Sequence, residues 1–108
     1  MEGLELIAFQ IISSVGTARS CYIEAIQAAK KGSYDEAAKM IKEGDEAFIE
    51  GHDAHAGLLQ KEASGEGNTV NLLILHAEDQ LMSAEAFKTI ALEFIDAYKR
   101  IEVLEKKD

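Results

Sequence analysis

The sequence predicts an all-α fold: an up-down-up three-helix bundle whose third helix stands at the centre of a homo-oligomer. Three observations carry this. The 108-residue chain has no proline and is rich in Ala, Leu, Ile, Glu and Lys, the composition of long helices. Apolar residues recur at helical spacing in three segments of roughly 30 residues, each about 45 Å long as a helix. The third segment is apolar on more sides than an isolated bundle can cover.

The first helix is expected from Leu4 to Lys31. Leu4, Ile7, Ala8, Ile11, Ile12 and Val15 follow the i, i+3, i+4, i+7 pattern, which resumes through Ala18, Cys21, Tyr22, Ala25, Ile26 and Ala29. Ser13-Ser14-Val15-Gly16 is a weak point that predicts a bend or short interruption near Gly16. Lys30-Lys31-Gly32 then sets cations in the last turn and a glycine at the helix end. Ser33 is the expected N-cap of a second helix over 33–63, with Glu36 at capping-box spacing. Ser64-Gly65-Glu66-Gly67-Asn68 reads as a loop. Thr69 is the expected cap of a third helix, which continues to about Glu105 before a charged tail that frays.

Short connections make successive helices antiparallel. The third helix carries one stripe of Val70, Leu73, Ala77, Ala84, Phe87, Ala91, Phe94, Tyr98 and Ile101. Leu72, Leu75, Met82, Ala86, Ile90 and Ala97 make much of a second, and Ile74, Leu81, Leu92 and Ile95 a third. Such a helix needs other chains around it, and a closed cyclic assembly is the common solution. The whole of residues 1–108 forms one domain.

Composition also excludes. A net charge of −9 argues against nucleic acid, which requires clustered Lys and Arg; the acidity serves solubility or a basic protein partner. The single cysteine, Cys21, permits no internal disulfide and reads as a small buried hydrophobe. No basic stretch precedes an apolar core at the N-terminus, and no apolar run approaches the roughly 20 residues needed to span a bilayer. A soluble cytosolic protein is the expectation.

The candidate site lies in the apolar third helix, where His76 and Asp79 are three residues apart on one face with Leu72, Ser83, Ala86 and Ile90. An imidazole and a carboxylate there cost free energy unless paired, ligated or open to a partner. One reading is a core histidine held by a carboxylate. Another is a nucleophile that presents one unprotonated nitrogen and is oriented through the other. On an oligomer axis, copies of Asp79 would converge and need protons, cations or a metal; carboxylate oxygens favour hard ions such as Mg²⁺ or Ca²⁺. His52 and His55, with Asp53 between them, read as a polar, partly solvated helix face. Zinc is disfavoured, since the third helix lacks a His-x-x-x-His pair.

Matching stretches run along almost the whole chain: Gly16-Thr17-Ala18-Arg19-Ser20, Ala28-Ala29-Lys30-Lys31-Gly32, Glu50-Gly51-His52, Gly65-Glu66-Gly67 and, above all, His76-Ala77-Glu78-Asp79-Gln80-Leu81-Met82. In these the sequence resembles the enzyme IIA component of the lactose/cellobiose (lactose/N,N'-diacetylchitobiose) class of the bacterial phosphoenolpyruvate-dependent sugar phosphotransferase system, whose motif is His-Ala-Gln-Asp-His-Leu-Met. The resemblance implies a cytoplasmic homotrimer with the third helix near its threefold axis. His76 would accept a phosphoryl group from the carrier HPr and pass it to a cysteine of enzyme IIB during uptake of a lactose- or cellobiose-type disaccharide. Asp79 and its symmetry copies would hold one divalent metal ion per trimer, with Mg²⁺ expected. The membrane would be met only indirectly, through enzyme IIC. Glu78 stands where the family commonly has Gln, and Gln80 where it commonly has a second His, so Gln80 can supply at most a hydrogen bond.

Two other readings compete. Ala25 to Ala38 looks like one tetratricopeptide-type helix–turn–helix, which would suit a non-catalytic interaction module, but no second copy follows at a 34-residue period. A di-iron bundle would require Glu-x-x-His motifs on paired helices, which His52-Asp53-Ala54-His55 and His76-Ala77-Glu78-Asp79 do not supply.

Overall fold

The computed structural model describes residues 3–66 and 70–107. Helix α1 spans Gly3–Lys30, α2 Tyr34–Ala63 and α3 Leu72–Glu105, with no strand among the described residues. Laid side by side they form a rod of 64 × 21 × 20 Å.

Three local expectations change. α1 runs unbroken through Gly16; Val15 and Ala18, which flank it, are fully buried, and their packing outweighs the roughly 1 kcal/mol helix penalty of glycine. The exposed hydroxyl of Thr17 donates back to the Ser13 carbonyl at 3.1 Å, so even the polar side of this stretch stays helical. Ser33 does occupy the N-cap of α2, but its side chain makes no capping hydrogen bond and the capping box is not formed. The end of α1 explains this. The Ser33 N–H donates to the Ala28 carbonyl and the Gly32 N–H to that of Ala29, both at 2.9 Å, with Gly32 at φ +81°. That Schellman closure fixes the Ser33 backbone at φ −92°, ψ 71°. Finally, α3 is capped by Asn71, whose Oδ1 accepts from the Ile74 N–H at 2.9 Å. Thr69, the expected cap, lies outside the described residues with Gly67 and Asn68.

α1 is the hub. Ala8, Ile11, Val15, Ala18, Tyr22 and Ala25 are fully buried along it. Toward α2 the approach is closest at Gly51 and Gly44: a Cβ there would lie 2.6 Å from Val15 Cγ1 and 2.6 Å from Tyr22 Cε1. Gly51 opposite Val15 and Gly44 opposite Tyr22 make the two helices antiparallel. Toward α3, Ala8, Ile11 and Val15 share a cluster with Ala77, Leu81 and Ala84, and Ala18 and Tyr22 one with Ala91, so those two run parallel. The up-down-up bundle is as expected.

By length and composition α1 could cross a membrane, with a mean hydropathy of 1.2 over its best window, which the absence of a long apolar run did not suggest. In this fold Ile11 and Val15 of that helix are fully buried against the other helices, whereas Leu6 and Phe9 are exposed.

α2 and α3 touch sparsely along a seam marked by polar contacts. Tyr34, Asp45 and His55 of α2 meet Lys99, Lys88 and Glu78 of α3, in reverse chain order. The Lys99 ammonium sits 5.5 Å from the Tyr34 ring centroid, Lys88 Nζ lies 3.1 Å from Asp45 Oδ1, and His55 Nε2 lies 2.5 Å from Glu78 Oε1. The buried Tyr22 hydroxyl joins the middle rung, donating to Asp45 Oδ1 at 2.7 Å.

Candidate functional site

Only Ala77, Leu81, Ala84 and Ala91 of α3 are buried. Three of the four are alanines, because α1 approaches closely on that side. The opposite face keeps its large side chains in the open: Leu72 is 83% and Met82 67% exposed, and Leu75, Ile90 and Leu104 are exposed as well. At helical spacing His76 and Asp79 belong to this outward face.

His76 is 51% and Asp79 69% exposed, with Nδ1 3.5 Å from Oδ1. This is too long for a firm hydrogen bond, and at that exposure His76 is not a core residue of the protomer. Asp79 Oδ1 accepts instead from the Gln80 amide at 3.1 Å. Gln80 therefore supports Asp79 and not the imidazole. Leu72, Leu73, Leu75, His76 and Asp79 line an open depression, so a half-exposed imidazole stands at the edge of an apolar surface.

His52 and His55 part company. His52 is 61% exposed with Nδ1 3.8 Å from Asp53, as expected of a solvated face. The His55 side chain is only 14% exposed and tightly bonded to Glu78, which corrects its assignment to a polar, solvated surface. Three residues of helix turn His55 away from His52, toward α3. No sequence signal short of knowing which face of α2 meets α3 separates the two. Cys21 is half-buried; burial, then the nearby Glu24 and Glu43 carboxylates, pushes its thiol up. It is thus disfavoured as a reactive thiolate.

Among the described residues, no group of three or more His, Cys, Asp or Glu could hold a metal within one chain. Asp79 offers one carboxylate, of the right hardness for Mg²⁺. Its exposure and its apolar surroundings suit a donor set completed by further copies of the chain.

The family model for the lactose/cellobiose-specific IIA subunit of the phosphotransferase system matches residues 6–99. The oligo-beta-mannoside-specific EIIA component of Bacillus subtilis is 41% identical over 95 residues, covering 88% of this chain and 86% of its own. The lichenan-specific enzyme IIA component of the same organism is 42% identical over 100 residues, covering 93% and 91%. The crystal structure of the cellobiose-specific enzyme IIA from Bacillus anthracis superposes with a TM-score of 0.93 at 43% identity, covering 95% of this chain and 94% of that one.

Proposed function

This chain belongs to the lactose/cellobiose-specific IIA family of the sugar phosphotransferase system, and on that premise we propose that it is a phosphocarrier with His76 as its phosphoryl acceptor. The observation that carries the reading is the position of His76: half-exposed, on the face of α3 that its own protomer leaves uncovered.

The donor is the phosphohistidine of HPr. An unprotonated His76 nitrogen attacks the phosphorus; the new N–P bond forms as the donor's N–P bond breaks, His76 gives up the proton on its other nitrogen, and the departing imidazole takes one up. Nδ1 is turned toward Asp79, which leaves Nε2 free to attack. The cysteine thiolate of enzyme IIB then attacks the same phosphorus, an S–P bond replaces the N–P bond, and His76 regains its proton. In a loose transition state of this kind the protein mainly positions the reactants and stabilises charge.

The exposed Leu72, Leu75, Met82 and Ile90 support a homotrimer with α3 at the axis, since patches of this kind are covered in a stable assembly. In that assembly Asp79 and its two copies would hold one Mg²⁺ ion, whose charge would offset the repulsion between converging carboxylates. The trimer acts in the cytoplasm and meets the membrane through enzyme IIC. The names of the relatives, lichenan- and oligo-beta-mannoside-specific, support a lactose- or cellobiose-type sugar as the cargo served. The tetratricopeptide-like stretch Ala25–Ala38 is the α1–α2 turn of the bundle and favours no separate reading.

Incubation with phosphoenolpyruvate, enzyme I and HPr should place acid-labile phosphate on His76. His76→Ala should keep its helix content and size yet lose acceptance by more than about 10³-fold, the scale of losing a nucleophile. Retained acceptance would sink the assignment.

A further inference from the structure

We infer that His55 and Glu78 are positioning residues for the phosphoryl transfer proposed above, on which this inference rests. Glu78 is two residues after His76, so its side chain leaves α3 about 200° around the helix: His76 faces out while Glu78 faces α2. There His55 Nε2–H donates to Glu78 Oε1 at 2.5 Å, with the His55 ring 14% exposed.

The location gives this bond its effect. α3 begins at Leu72, one turn before His76, and Leu73 and Ile74 of that turn pack against the cluster of Ala8, Ile11 and Leu58. Toward α1 the first turns are held by Ala77, packed with Ala8 and Ile11 around Leu81. Apolar contacts of this kind are non-directional. Toward α2 the nearest directional tie is His55–Glu78; the next rung, Lys88–Asp45, lies ten residues along α3, about 15 Å away. The His55–Glu78 bond adds a directional tie on the α2 side to that apolar packing, and so sets the rotation of the turn that carries His76. Rotation matters because small misplacements of a reacting group can cost about 10²-fold in rate.

Glu78→Leu removes the acceptor at a half-exposed position that tolerates an apolar side chain. It should lower phosphate acceptance at saturating phospho-HPr about tenfold, with little change in the half-saturating donor concentration and with amide exchange quickened at residues 74–79. Glu78→Gln keeps an acceptor oxygen for His55 and should stay within about twofold of the parent. Lys88→Met breaks the distant rung and should leave the rate unchanged. The inference is overturned if Glu78→Leu accepts phosphate as fast as the parent, if Glu78→Gln is as slow as Glu78→Leu, or if Lys88→Met slows the reaction equally. A parent protein that accepts no phosphate would sink the proposed function itself, a different result from a fast Glu78→Leu.

Discussion

α1 and α3 are both long helices rich in apolar residues, but those residues meet different fates. α1 lies between the other two helices and buries Ile11, Val15 and Tyr22 completely within one chain. α3 buries one large side chain, Leu81, beside three alanines, and leaves Leu72, Leu75, Met82 and Ile90 in the open. The contrast shows that apolar content alone does not mark a core helix. α1 supplies the stability of the protomer, whereas α3 keeps an apolar face, with His76 on it, that the protomer does not cover.

The sharpest way to break this contrast is a pair of truncations. Ile11→Ala should cost about 2–5 kcal/mol of unfolding free energy at any protein concentration, because the cavity lies inside the protomer. Ile90→Ala should leave the protomer's own unfolding within about 0.5 kcal/mol of the parent while weakening self-association. Urea unfolding at two concentrations, with sizing alongside, separates the two, and identical behaviour would erase the distinction between the helices.

Asp79 sharpens it further. If the outward face of α3 is the axis, chelation should lower the parent's melting temperature by about 4–8 °C for each kcal/mol of metal stabilisation lost. Asp79→Asn should be insensitive to chelator and, in its presence, should melt above the parent, since the converging charges are gone. A chelator response unchanged in Asp79→Asn would remove Asp79 from the metal assignment.

The smallest effect concerns α1. Burial first, and then the bond to Asp45, push the Tyr22 hydroxyl up from its ordinary value of 10.0. A raised value in the fold means that this contribution to stability is complete below pH 10.0 and is lost as pH rises above it, when the unfolded chain ionises and the folded one resists. Tyr22→Phe should cost about 1 kcal/mol near neutrality, limited because Lys88 still holds Asp45, and should flatten the alkaline limb of the stability profile. An unaltered limb would show that another group controls it.

Much of this was legible in the chain. The helical periods, the glycine-marked turn at Gly32, the excess of apolar faces on the third helix and the His76–Asp79 spacing are local patterns, and local patterns survive in one dimension. Family membership followed from the motif at His76–Met82 for the same reason. Gly16 was misread because helix propensity is a weak prior that packing by Val15 and Ala18 overrides. Ser33 takes the expected N-cap position, but its capping box does not form because the chain's exit from α1, and not the serine, sets its backbone.

By itself, then, the sequence determined three helices, their order and the residue types of the site, since each depends on neighbours within a turn or two. Only the tertiary structure decided that His55 turns inward to Glu78 while His52 stays in solvent, and that His76 faces out beside an apolar depression. Those outcomes depend on which side of each helix its neighbours occupy, a relation between residues far apart in the chain that periodicity leaves free.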